Sequence, residues 1–385
     1  MAENLACSYS HICSGCDWIL RPYFEQIELK EAILNSAWQA QISGRAELKE
    51  YKWPKPKWLK ISAGQTRDRV DLMIDRRNGN YRLGLFDRFQ NGIVDLQGCP
   101  QMSPGLESWF QEFRNLQIPV TRGSVRLRVS PHGNRGIWFD FANLDIKTLL
   151  TERTTLDFLR SQSTLEIGQK RKRLVERDGL LKLDEAELGP WFETYIDDSS
   201  VPVPLYTTIG GFTQPGFKVN RALVGEVRRM VGKTSAKSVT EFGAGIGNFT
   251  IPLAAHCDSV RALEIDRLAI AGLEKSLSGA GFSSRVEIMA GDFQRPQASA
   301  FDFSQTDLVF ADPPRSGLLS FLKPLVAESS AKRPRHFIYV SCFAESFAQD
   351  AAALMGSGYG LEEITIIDQF PQSRHFELIA HFTLD

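Results

Sequence analysis

Glu241-Phe-Gly-Ala-Gly-Ile-Gly-Asn-Phe249 places glycines at 243, 245 and 247, giving a backbone that can turn sharply and come close to a ligand. The β-branched run Ser238-Val-Thr240 leads in, and the apolar pattern Phe249-Thr-Ile-Pro-Leu-Ala-Ala255 leads out. The stretch therefore reads as strand, glycine turn and helix, with the helix N-terminus offering unpaired N–H groups. A nicotinamide-type fingerprint needs its third glycine at 248, where this chain has Asn248. The spacing instead fits a methyltransferase cradle for S-adenosylmethionine, built from Phe242, Gly243, Gly245, Gly247 and Asn248. Glu264 ends the next strand. A tight turn with no ligand is the bland alternative.

Further reactive side chains follow successive strands of the same region. Glu264 suits both ribose hydroxyls as an acceptor, and Asp292, in Ala290-Gly-Asp-Phe293, stands one strand further on, where it would meet an adenine amine. Asp312-Pro-Pro-Arg-Ser-Gly317 comes straight after Leu308-Val-Phe-Ala311, and its two prolines stiffen the loop so that Asp312 is held beside the reacting groups. Cys342 ends Tyr339-Val-Ser-Cys342. A cysteine there is either inert packing or, at the mouth of a cofactor crevice, a thiolate nucleophile. Glu377, within Arg374-His-Phe-Glu-Leu378, sits between apolar residues. Burial would raise its pKa toward that of a working general base or acid, and alternation would equally aim it at solvent.

Cys7, Cys13 and Cys16 fall within ten residues, and Cys99 precedes Pro100, a pairing also seen at the end of bacterial ferredoxin cluster motifs. A reducing cytosol gives a chain of 385 residues no need of disulfides. Four thiolates without a second zinc-type knuckle favour a four-iron, four-sulfur cluster over tetrahedral zinc or plain buried thiols. Cys257, on an apolar helix, reads as core.

The elements that must position these groups fall into two halves. Pro22 to Trp38 reads as an amphipathic helix, and the helix at 22–40 is a candidate to pack on the catalytic half. Lys52-Trp-Pro-Lys-Pro-Lys-Trp-Leu-Lys60 interleaves cations with tryptophans, with Arg67 and Arg69 close behind. This suits phosphates and unstacked bases, or equally an edge strand with snorkelling lysines. From Val70 to Ile146, short alternating runs separated by turns such as Asn78-Gly79-Asn80 predict a mostly antiparallel sheet. Helical segments near 105–116 and 146–160 interrupt or cover it. Lys170-Arg-Lys-Arg173 is a wet surface or a phosphate contact. Prolines 202 and 204 and Gly210-Gly211 put a domain boundary near 200. Beyond it, strands and helices alternate, which predicts a doubly wound α/β fold, Rossmann-like, with its ligand at the carboxyl ends of the strands. The expected organisation is thus an α+β domain at 1–200 and a methyltransferase domain at 201–385.

A net charge of −1 gives no global pull toward nucleic acid, so any polyanion site must be a local patch. No stretch is long and apolar enough for a membrane span, and the N-terminus lacks signal-peptide regions, so a cytoplasmic protein is expected. Nothing in the sequence calls for an obligatory protein partner.

Phe212-x-Gln214, the glycine loop, Asp-Pro-Pro-Arg, Ser-Cys and His-x-Glu occur in the order found in RNA uracil-5-methyltransferases, which the whole chain resembles, its four cysteines included. The resemblance implies that Cys342 attacks C6 of uracil and that Glu377 removes the C5 proton. It further implies that Gln214, Glu264 and Asp312 line the cofactor and base pocket, and that Cys7, Cys13, Cys16 and Cys99 hold an iron–sulfur cluster. With Cys7 starting the cluster almost at once, the chain looks closer to the short 23S ribosomal RNA enzymes without an N-terminal RNA-binding β-barrel, which is the expectation here. One departure stands out: family members usually carry Asn after the nucleophile, and this chain has Phe343. Transfer RNA as substrate, an amino-methyltransferase with no use for Cys342, and an inactive RNA-binding relative are the competing readings.

Overall fold

The computed structural model describes the chain except for residues 1–4, 46–47, 49–50, 52, 78, 90–91, 141–145, 170–171, 199–200, 293–301, 319–320, 330–331 and 385. Lys52, Asn78, Lys170, Arg171 and Phe293, singled out above, lie outside the described residues. The chain forms two compact units. The first comprises Met1–Tyr23, Ser62–Glu193 and Tyr206–Asn220, and the second comprises Phe24–Ile61, Thr194–Leu205 and Arg221–Asp385. The single cut expected at residue 200 gives way to this discontinuous division. Composition shifts mark where the chain turns polar, whereas units are defined by which apolar faces are buried together.

The second unit is built on an eight-stranded sheet in the spatial order 57–59, 360–367, 377–383, 336–341, 308–311, 238–242, 259–264 and 286–290. Every pairing is parallel except those of Glu377–Thr383, which runs antiparallel to both neighbours. Leu308–Ala311 is buried throughout and His336–Ser341 nearly so, as continuous apolar strands covered on both faces must be. From Ser238–Phe242 the chain winds outward through 259–264 and 286–290, then crosses to the other side at 308–311. The glycine turn therefore sits at the topological switch point.

Helix Tyr23–Ile42 belongs to this unit, and its Leu34, Ala37, Trp38 and Ile42 join the core under the 336–341 strand. The tryptophan-rich segment resolves as an edge strand, Lys57–Leu59, pairing with Thr365–Ile367. Trp53 packs edge-on against Trp38 (4.7 Å) and Phe347 (5.6 Å), Trp58 Nε1 donates to Glu31, and Lys57 pairs with Glu226 at 3.0 Å. These tryptophans are spent on packing, so the solvated-edge reading holds.

The first unit carries a second eight-stranded sheet, in the order 93–95, 82–86, 69–75, 122–129, 135–140, 164–169, 172–177 and 180–185. It is antiparallel except where 135–140 meets 164–169. Helix Pro104–Asn115, capped by Ser103 and opened by a proline, buries Leu106, Trp109, Phe110 and Phe113 against it, a single stripe at helical spacing. Two short helices, Ile146–Thr151 and Arg153–Gln162, replace the one expected there. The last three strands were not foreseen, because polar residues on both faces hide their alternation. Lys172 pairs with Glu185 and Arg173 with Glu187 at 2.7 Å, so the described cations of the 170–173 run are neutralised locally. Among the described residues no helix is long and apolar enough to cross a membrane.

Candidate functional site

Register fixes the site. Phe242 pairs with Leu263 on one side and Ala311 on the other, Glu264 pairs with Ala290, and Ala311 with Tyr339. Gly243, Glu264, Asp292 and Asp312 consequently emerge at one end of one sheet, although about seventy residues separate the first from the last. All three loop glycines take positive φ, 83°, 58° and 99° at Gly243, Gly245 and Gly247. A Cβ on Gly243 would lie 2.5 Å from the Asp312 carbonyl oxygen, so only glycine lets the two loops touch.

Glu264 accepts from Gly245 N, Ile265 N and Asp266 N, each at 2.8 Å. Its carboxylate is thereby fixed beside the glycine turn with lone pairs left for hydroxyl donors. Thr194 Oγ1 donates to the Asn248 carbonyl at 2.6 Å, tying down the loop's far side. Phe242 is different: its ring is fully buried, 4.0 Å from the Phe321 ring, so any part it plays in holding a cofactor is confined to its main chain. Its carbonyl accepts Asp312 N at 3.0 Å.

Asp350 fastens the far end of the Asp-Pro-Pro-Arg loop, accepting from Leu318 N and from Tyr339 Oη, both at 2.7 Å. Asp312 is half-buried, and the surrounding protein pushes its carboxyl up to about 7. Ser341 pairs with Leu378 across the antiparallel strands, so Cys342 and Glu377 stand opposite each other one rung further on. Burial raises the pKa of both. The Cys342 thiol is pushed up further by the Glu377 and Asp312 carboxylates, and the Arg315 guanidinium opposes this through a hydrogen bond and its charge. Glu377 lies well above the usual carboxylate range, from burial first and then from Asp312, with Arg315 again opposing. Three acidic groups and one cation thus share this pocket.

Phe343 begins helix Ala344–Gly356 without a side-chain cap. Ser341 Oγ takes over locally, accepting Phe343 N at 3.2 Å and donating to Phe343 O at 3.1 Å. Glu241, quoted with the glycine loop but given no role, is completely buried, and burial pushes it up to about 8, with the neighbouring Thr250 hydroxyl opposing the shift. Arg315 was likewise visible in Asp-Pro-Pro-Arg without a role. No local signal marks Gln369, whose Nε2 approaches Glu377 Oε1 at 3.5 Å, because that contact exists only after two strands pair.

Gln214 lies in the first unit, on a segment that three arginines hold by its carbonyls. Arg69 donates to Thr213 O (2.8 Å), Arg126 to Gly210 O (2.7 Å), and the buried Arg128 to Thr208 O and Ile209 O (both 3.3 Å). Phe212 on this segment is 77% exposed, with Arg69 over its ring at 5.5 Å.

Cys7, Cys13, Cys16 and Cys99 also converge in the first unit. Every pair among the four thiols acts electrostatically, and burial with this mutual influence pushes Cys16 up to about 12. Tyr9 N donates to Cys7 Sγ (3.4 Å) and Gly15 N to Cys13 Sγ (3.3 Å), while Arg67 and Arg88 bring positive charge. Among the described residues, no group of three or more His, Cys, Asp or Glu side chains is arranged to hold a single metal ion.

Residues 204–382 match the family model described as tRNA (Uracil-5-)-methyltransferase. An uncharacterized RNA methyltransferase of Bdellovibrio bacteriovorus is 42% identical over 98% of this chain and 95% of its own length. The 23S rRNA (uracil(1939)-C(5))-methyltransferase RlmD of Psychromonas ingrahamii is 26% identical, over 98% and 82%. Among solved structures, the tRNA (uracil-54, C5)-methyltransferase of Pyrococcus abyssi, in complex with S-adenosyl-L-homocysteine, shares the fold. Its TM-score is 0.69 at 19% identity, covering 96% of this chain and 86% of that one.

Proposed function

This chain belongs to the S-adenosylmethionine-dependent RNA (uracil-5-)-methyltransferases, and from that premise we propose that it methylates a uridine of 23S ribosomal RNA through a covalent Cys342–uracil adduct. The observation that carries the mechanism is the placement of Cys342 opposite Glu377, beside Asp312 and Arg315, at the sheet end that bears the glycine turn. Support for the ribosomal substrate comes from the RlmD relatives, which align along almost the whole chain. The site of action is the cytoplasm.

C5 of uracil is a poor nucleophile. The Cys342 thiolate adds to C6, forming the S–C6 bond and moving the C5–C6 π pair into an enolate. Gly243, Gly245, Gly247, Asn248, Glu264 and Asp292 would hold S-adenosylmethionine, whose sulfonium S–CH3 bond breaks as C5 takes the methyl, leaving S-adenosylhomocysteine. Glu377 then removes the C5 proton, and the electron pair left behind re-forms the double bond as the C6–S bond breaks. Burial and the Asp312 carboxylate raise the Glu377 pKa, which makes it a strong base once ionised, and Arg315 offsets part of that shift.

The four thiols fit an iron–sulfur cluster. They converge from two distant segments, carry main-chain N–H donors, and have Arg67 and Arg88 to offset thiolate charge. Such a cluster would tie the N-terminal cysteines to the loop at Cys99 and so stiffen the first unit for holding RNA. Anaerobic purification should give a brown protein containing iron and sulfide, and a colourless protein with stoichiometric zinc overturns this part.

Modification mapping of ribosomal RNA from cells lacking the protein tests the substrate: one 5-methyluridine should disappear from 23S RNA. Loss from transfer RNA instead would move the substrate, and an unimpaired Cys342→Ala variant would remove the covalent mechanism.

A further inference from the structure

Gln26 and Lys30 lie four residues apart on helix Tyr23–Ile42, hence on one face, and both are completely buried. Both are committed to the same short segment. Lys30 Nζ is 2.6 Å from Asp368 Oδ1 and donates to Phe370 O at 3.1 Å. Gln26 makes a reciprocal pair with Gln372, donating to Oε1 at 2.7 Å and accepting from the main-chain N–H at 2.9 Å. Gln372 sits at φ 69°, a left-handed conformation that a non-glycine residue keeps only when its surroundings impose it.

Segment 368–376 joins strand Gly360–Ile367 to the strand that opens with Glu377. The helix grips it at 368, 370 and 372, and between the grips Gln369 reaches Glu377 Oε1 at 3.5 Å. Stability does not account for this arrangement, because a buried ion pair contributes little more than apolar residues of the same volume. A fixed loop geometry does.

We propose that Gln26 and Lys30 are positioning residues: the amino-terminal helix clamps segment 368–376 so that Glu377 is aimed at the C5 proton. The inference rests on the reading of Glu377 as the base. A merely structural clamp would leave the chemistry of a folded variant untouched.

The test compares Lys30→Met/Asp368→Leu, which replaces the pair by apolar side chains, and the milder Gln26→Ala with Glu377→Gln and wild type. Each is incubated with 23S RNA and S-adenosylmethionine, and covalent protein–RNA adduct is read on denaturing gels beside kcat and KM. Misaiming the base should lower kcat by about 100-fold, leave KM for S-adenosylmethionine unchanged and let methylated adduct accumulate, as in Glu377→Gln. Should Lys30→Met/Asp368→Leu fail to fold, Gln26→Ala carries the test. Wild-type turnover without adduct in a folded clamp variant, while Glu377→Gln does trap adduct, overturns the clamp alone. Absence of adduct in Glu377→Gln overturns the base assignment itself.

Discussion

The Cys342 thiol is held back by its neighbours: burial and two carboxyl groups raise its pKa, and Arg315 is the cation that opposes them. Removing a nearby negative charge makes the thiolate easier to form, so Asp312→Asn should move the pH midpoint of Cys342 alkylation to lower pH. At fixed, mildly alkaline pH the alkylation rate should rise by about tenfold, even though methyl transfer falls. Arg315→Gln should move the midpoint the other way. A midpoint indifferent to both variants would mean that these charges do not reach the sulfur. Glu241 makes a different prediction. Its folded pKa of about 8 lies above the ordinary 4.5, so the stability linked to its neutral form is fully present below pH 4.5 and is lost as pH rises through 8. Glu241→Gln has no charge to bury. It should melt with wild type in acid and exceed it by about 1–3 kcal/mol above pH 8, measured by denaturant unfolding.

Strands that end together do the work of assembling the site. Glu264 ends and Asp312 follows strands whose registers are level, Cys342 follows a parallel strand that runs two residues further, and Glu377 enters from the antiparallel neighbour. The helix after Cys342 starts at Phe343, which has no side-chain oxygen to offer its first N–H groups. Phe343→Asn should therefore supply a cap and raise stability by about 1 kcal/mol, read from the denaturant midpoint. No gain would show that Ser341, already bonded to the Phe343 main chain, leaves nothing for a cap to add.

Each of the two units has its own apolar core, one centred on the 336–341 strand and one under helix Pro104–Asn115. Thermal unfolding should show two transitions. S-adenosylhomocysteine should raise the one that belongs to the sheet bearing the glycine turn, and, on the proposal of a cluster at the four cysteines, iron chelation should lower the other. A single transition moved by both treatments would mean that the units unfold as one. With a net charge of −1, RNA binding must rely on local groups. The tryptophans at 53 and 58 are not among them, since packing has claimed both.

Local chemistry was legible from the chain alone wherever the physics is local. Three alternate glycines with a β-branched run before them dictate a positive-φ turn at the end of a strand, and alternating strands and helices dictate a parallel sheet with its chemistry at one end. What tertiary structure decided is everything that depends on which distant segments share a core. Helix Tyr23–Ile42 reads as an amphipathic candidate to pack on the catalytic half, but its partner is fixed only when its buried face meets a segment 338 residues further on, where Lys30 finds Asp368. The strands 172–177 and 180–185 could not be foreseen, because charged residues interrupt their alternation and their pairing is a property of both strands together. Cys342 and Glu377 become a pair only when two strands lie antiparallel, since register, unlike propensity, is a property of two strands at once.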